Sequence, residues 1–144
     1  MSNDLFSLKG KTALVTGSST GLGKRMAVAL GRAGASVAMN YFNNEERAAK
    51  TLLEFEETGA EGAMIRADVT DESDVNQLVA ETEKKLGPVD IVILNATPDQ
   101  PQKPIEEYDW EFYQSMLDFF IKSIRSQREK NYQQSIIAHL CCIT

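Results

Sequence analysis

The stretch KTALVTGSSTGLGKRMAVAL, residues 11–30, places Gly17, Gly21 and Gly23 within seven residues, after an apolar run and before an amphipathic one. Bare backbone between a strand and a helix serves the chemistry of anion capture. Without a Cβ the chain turns sharply out of a strand, amide N–H groups can approach a phosphate closely, and the following helix aims its positive end at the bound charge. The candidate binding residues here are Gly17, Ser18, Ser19, Thr20, Gly21, Leu22 and Gly23. One further place that could complete such a site is Asn40-Tyr41, at the end of the second apolar run. The common G-x-G-x-x-G fingerprint is absent. A G-x-x-x-x-G-K-[ST] loop also fails, because Ser18 stands at its first glycine and Arg25 at its Ser or Thr.

These residues need elements to position them. Thr12–Thr16 (TALVT) reads as a short strand. A helix follows over Leu22–Gly34, with apolar residues Leu22, Met26, Ala29, Leu30 and Ala33 at helical spacing. Ala35–Tyr41 is a second strand. Asn43 or Asn44 caps a helix reaching about Thr58, with Glu45 and Glu46 in its first turn and Leu52, Leu53 and Phe55 on its apolar side. Gly62–Val69 is strand three. Thr70 or Asp71 opens the next helix, whose face is Val75, Leu78, Val79, Thr82 and Leu86, and Gly87-Pro88 closes it. Val89–Asn95 is nearly all apolar, the mark of a strand covered on both faces. After a proline-containing loop, Ile105 to about Arg128 reads as a long helix, and Ser135–Ile143 as a last strand. Strands alternating with helices of this length predict a doubly wound parallel α/β sheet in three layers, with strand order 3-2-1-4-5, as one domain over residues 1–144. In such a sheet the first βα turn lies at the crevice where strand order reverses.

Bulk properties narrow the partners. Net charge is −6 and the sequence pI about 4.8, which argues against nucleic acid as a partner. No apolar run approaches the length of a membrane span, so no membrane is expected. The start MSNDLFSLKGK lacks a basic-then-apolar leader, and a cytoplasmic protein is expected. Cys141 and Cys142 are adjacent, without CxxC spacing, and read as reduced thiols rather than a metal or redox site.

T-G-x-x-x-G-x-G after strand one resembles the short-chain dehydrogenase/reductase family, whose fold is Rossmann-like. The resemblance runs from about Leu8 to Ile121 and includes Leu8-Lys9-Gly10-Lys11 before strand one, Asp68-Val69 after strand three and Leu94-Asn95-Ala96-Thr97 after strand four. Asp68-Val69 looks like the family's adenine-contacting pair. Leu94 to Thr97 stands where the family carries N-N-A-G, with Leu94 replacing the first Asn and Thr97 the Gly; the resemblance implies Asn95 and Ala96 at the cofactor, and Asn95 keeps the amide to bridge neighbouring strands. The resemblance implies an NAD or NADP cofactor and hydride transfer between a carbonyl and an alcohol. An NAD site usually carries an acidic group about 20 residues past the glycines. Asn40 bears no charge to repel a 2′-phosphate, and Arg47 is the nearest cation, so the reading leans to NADP.

The resemblance also implies a proton-donating Tyr within Y-x-x-x-K, a Ser after strand five and an Asn in the helix after strand four. A phenol titrates at about 10 and needs nearby positive charge to act near neutrality. Four residues beyond Tyr41, Tyr108, Tyr113 and Tyr132 stand Glu45, Phe112, Leu117 and Ile136, so no Y-x-x-x-K exists. Leu117-Asp118-Phe119-Phe120-Ile121-Lys122 offers no Asn, and Tyr132 near Lys130 reads as a solvated helix end. The resemblance fades after about Ser123, in IRSQREKNYQQSIIAHLCCIT, as a truncation, an altered reading frame or an alternative ending would produce. His139 reads as a packed strand residue rather than a base. Two functions are therefore expected: an oxidoreductase of this family by lineage, inactive as this chain, or a non-catalytic dinucleotide-binding module. The helix at 105–128 resembles the family's dimer helix, with Phe112, Met116, Phe119 and Phe120 as the expected contact positions.

Overall fold

The computed structural model describes residues 4–98, 103–128 and 136–139. After a 3-10 turn at Asp4–Phe6, the order is β1 (Thr12–Val15), α1 (Gly21–Arg32), β2 (Ser36–Tyr41), α2 (Glu45–Glu56), β3 (Gly62–Arg66), α3 (Glu72–Leu86), β4 (Val89–Leu94), a second 3-10 turn (Ile105–Glu107), α4 (Trp110–Arg128) and β5 (Ile136–His139). All strand pairs are parallel, in the order β3-β2-β1-β4-β5. The doubly wound sheet and its strand order match the sequence-based expectation.

Side chains alternate across the sheet, as a period of two requires. Ala13, Val15, Val37 and Met39 turn to one face and meet Ala27 of α1 and Phe55 of α2. Leu14, Ala38, Ile65 and Val92 turn to the other and meet Leu78 of α3. Burying a side chain such as Leu14 or Phe55 contributes about 2–3 kcal/mol.

On α1 the most buried stripe differs from the one predicted, whereas on α2 Phe55 and Leu52 pack as expected and only Leu53 departs. On α1 the buried positions are Gly23, Ala27 and Gly31, while Leu22 is 43% exposed. Small residues bring the helix close to the sheet, and large ones would hold it off. On α2 the buried positions are Ala48, Thr51 and Phe55, and Leu53 faces solvent. The Phe55 ring lies against the bare backbones of Gly31 and Gly62: a Cβ at Gly31 would stand 2.8 Å from the ring and one at Gly62 2.5 Å. On α3 the expected face is the one that packs.

Caps follow the sequence signals. The Asn44 side chain accepts from the Arg47 N–H at 2.9 Å, and the Asp71 carboxylate from the Asp74 N–H at 2.9 Å. The long helix starts later than predicted. Ile105–Glu107 forms only a 3-10 turn, Tyr108 is extended, and Asp109 accepts from the Phe112 N–H at 2.8 Å, so α4 opens at Trp110. The expected contact positions of that helix are also revised. Phe112, Met116 and Phe119 are half-buried, whereas Trp110, Tyr113, Leu117 and Ile121 are exposed. The Phe120 and His139 side chains, Lys130, Tyr132, Cys141 and Cys142 lie outside the described residues. Among the described residues, no helix is long and apolar enough to cross a membrane, and no His, Cys, Asp and Glu cluster suits a metal ion.

Candidate dinucleotide crevice

Past the carboxyl ends of β1 and β4, where strand order reverses, lies an open crevice of about 770 Å³. That volume is in the range of small-molecule sites. Of the thirteen residues expected to bind cofactor, eleven line it: Gly17, Ser19, Thr20, Gly21, Leu22, Asn40, Tyr41, Asp68, Val69, Asn95 and Ala96. Ser18 and Gly23 do not; they lie beneath it.

Each glycine has its own reason. Gly17 has φ +60°, and a Cβ there would meet the Ala96 Cα at 2.7 Å. A Cβ at Gly23 would meet the Asn95 Nδ2 and the Gly17 carbonyl oxygen, both at 2.5 Å. Gly21, at φ +57°, is different: a Cβ would meet no protein atom within 4 Å, at a position that lines the crevice. Gly21 opens α1, whose first N–H groups have no intrahelical acceptor. The turn is thus a cradle that a side chain would fill, and its free donors suit a diphosphate.

The turn is fixed from below. Fully buried Ser18 donates its Oγ–H to the Val15 carbonyl at 2.7 Å and accepts the Asn40 N–H at 3.0 Å. Its own N–H donates to the Asn40 carbonyl at 2.9 Å. Asn40 is 2% exposed, and its amide is spent on the protein. Oδ1 accepts the Gly17 N–H at 3.1 Å, while Nδ2 donates to the carbonyls of Ala67 at 3.1 Å and Ile65 at 3.4 Å. Nδ2 also donates to the Tyr41 carbonyl at 3.2 Å, so one N–H and three carbonyls converge on this amide, and only a group that both accepts and donates can serve them. Asn40 therefore ties the glycine turn to β3 at the floor of the crevice that it lines.

The β4 end supplies the second wall. Asn95 Nδ2 donates to the carbonyls of Thr16 and Gly17, each at 3.0 Å. The Thr16 hydroxyl oxygen accepts the N–H groups of Asn95 at 3.0 Å and Ala96 at 3.1 Å. The expected bridge by Asn95 is present despite Leu94 and Thr97. Asp68 Oδ1 accepts from the Thr70 N–H at 2.9 Å and the Thr70 hydroxyl at 2.6 Å, and the Asp68 N–H donates to Asp74 at 2.8 Å.

Sequence reasoning missed Phe42, Asn43, Thr70, Pro98 and Phe119 in the lining, and the supporting hydroxyls of Thr16 and Thr51. Among the described residues, Arg47 is the only cation in the lining. Away from the crevice, Lys11 and the Thr12 N–H both bond Asp90 at 2.9 Å, and the Lys11 bond, then the backbone bond, holds the Asp90 carboxyl below its usual range. The Lys24 bond does the same for Glu54.

The geometry has known counterparts. Residues 11–127 match the family model described as short chain dehydrogenase. The chain is 42% identical over 96 residues to a 2-dehydro-3-deoxy-D-gluconate 5-dehydrogenase of Formosa agariphila, covering 67% of this chain and 36% of that protein. It is 41% identical over 109 residues to a sorbose reductase of Candida albicans, covering 74% and 38%. A short-chain type dehydrogenase/reductase from Mycobacterium marinum superposes with a TM-score of 0.82 at 29% identity, over 94% of this chain and 57% of that one. The chain thus spans little more than a third of these curated relatives. With the glycine turn, the Asp68 loop and the Asn95 bridge all around one crevice, the chain belongs to the short-chain dehydrogenase/reductase family of oxidoreductases.

Proposed function

We propose that this chain is the dinucleotide-holding part of an NAD(P)-dependent oxidoreductase acting on a carbonyl/alcohol pair, and that its 144 residues bind the cofactor without turning substrate over. The observation that carries the binding is the open Cβ position of Gly21 at the start of α1. The N–H groups of the turn would hold the diphosphate. Asp68 and Val69 would face the adenine, and Tyr41, Phe42 and Arg47 the adenosine ribose. Asn95 to Pro98 and Phe119 would border the nicotinamide, which when bound gives or takes the hydride. NADP is favoured over NAD, because Arg47 is in the lining and the end of β2 presents no carboxylate there.

The absence of turnover rests on the proton donor. Tyr41 lies at the ribose end, and Tyr108 and Tyr113 stand in an aromatic group with Phe112. None of the four tyrosines has a lysine four residues on. Calorimetric titration with NADPH and NADH, beside a ketone and aldehyde panel, tests both parts. Binding in the high-micromolar range with no hydride transfer is the result expected. Absence of binding would overturn the first part, and steady turnover the second.

One observation favours a dimerising role beside cofactor binding. Trp110, Tyr113, Leu117 and Ile121 form an exposed apolar row at helical spacing on α4. Light scattering should show a dimer, and Leu117→Glu a monomer; a monomeric parent chain would sink this role.

A further inference from the structure

We infer that Thr51, on the buried face of α2, is a positioning residue for the glycine turn: its hydroxyl holds the Ser19 carbonyl away from the crevice, so that the turn presents N–H groups there. The inference rests on the dinucleotide reading above and adds to it a residue remote from the turn in sequence.

Thr51 is 3% exposed and sits between Ala48 and Phe55 on the side of α2 that meets the sheet. Packing alone would be met there by valine, which has the same shape. The hydroxyl has a specific use instead: it donates to the Ser19 carbonyl oxygen at 2.8 Å, in a buried bond that spans 32 residues. A peptide unit is planar and trans, so its C=O and N–H point to opposite sides. Holding the Ser19 carbonyl against α2 turns the Thr20 N–H the other way. That N–H has no partner among the described residues, and both Ser19 and Thr20 line the crevice. Were the same peptide plane to flip, a carbonyl dipole would face the anion in place of a donor. A second tie holds α2 to α1, directly after the turn, since Lys24 of α1 is paired with Glu54 one turn from Thr51. Arg47, four residues before Thr51 on α2, lines the crevice as well, so one helix both borders the ribose end and supports the diphosphate end.

The test compares ligands with and without the diphosphate bridge. NADPH and 2′-AMP are titrated by calorimetry and ligand-observed NMR into the full chain and into Thr51→Val, with thermal melts of each. The expected result is a roughly tenfold loss for NADPH, the scale of one hydrogen bond, and less than a twofold change for 2′-AMP. Thr51→Ser, which keeps the hydroxyl, restores NADPH binding. If Thr51→Val does not fold, the comparison of Thr51→Ser with Thr51→Ala decides in the same way. Equal losses for both ligands mean a merely structural role and overturn the inference, as does unchanged NADPH binding. A parent chain that fails to bind NADPH overturns the dinucleotide reading itself, and this one with it.

Discussion

The side-chain amide of Asn95 occupies the space that a Cβ on Gly23 would need, 2.5 Å from its ideal position. The same amide bonds the carbonyls of Thr16 and Gly17. Close approach of α1 and the bridge from β4 are therefore one arrangement. Gly23→Ala should destabilise the protein by about 2 kcal/mol, because two of the three atoms met, the Gly17 oxygen and the Ser18 Cα, are backbone and cannot swing aside. Urea denaturation measures it, and a change under about 0.5 kcal/mol would contradict the contact.

Gly21→Val separates binding from folding. A Cβ at this position meets no protein atom within 4 Å, so the cost expected is that of the positive φ, about 1–3 kcal/mol. Dinucleotide binding should vanish in calorimetry while the thermal melt stays cooperative. Retained binding would mean that the diphosphate does not sit over this turn.

Asn40→Asp should be costly although nearly isosteric. The carboxylate can still accept from Gly17 but faces the carbonyls of Ala67 and Ile65 with nothing to donate. A buried, unpaired charge at this place should cost about 3 kcal/mol in chemical denaturation at neutral pH. A near-neutral effect would contradict the buried tie from Asn40 to β3.

Asp90 sets an acid limit. Its folded carboxyl titrates below the usual 3.8, because Lys11 and the Thr12 N–H favour the charged form. The folded state therefore binds the proton less readily than the unfolded chain. The stabilisation is complete above about 3.8 and is lost as pH falls through the depressed folded value. Asp90→Asn should lower the melting temperature by a few degrees near neutrality and flatten its fall as pH drops below about 3.8. Parallel acid limbs in the two proteins would refute the assignment.

The sheet was readable from the chain because each strand is a short apolar run and each crossover a bounded amphipathic one. The crevice was readable from Gly17, Gly21 and Asn95, whose types are tied to backbone geometry. What escaped was set by distance in sequence. Nothing near Thr51 announces that Ser19 lies against it, and nothing in Asn40 tells whether its amide looks outward or down to β3. Hydrophobicity also misled on α1, where a close helix demands small residues and the large Leu22 is left exposed. At the start of α4, Asp109 carried the cap signal, but the apolar pattern from Ile105 outweighed it.

The Phe55 ring seated on Gly31 and Gly62 has an evolutionary corollary. These three sites, drawn from two helices and a strand, cannot drift independently. A relative that acquires alanine at either glycine position must trim the aromatic, and one that keeps the aromatic must keep both glycines. Covariation among them would thus report how tightly the two outer helices are drawn onto the sheet edge, independently of anything that happens at the crevice.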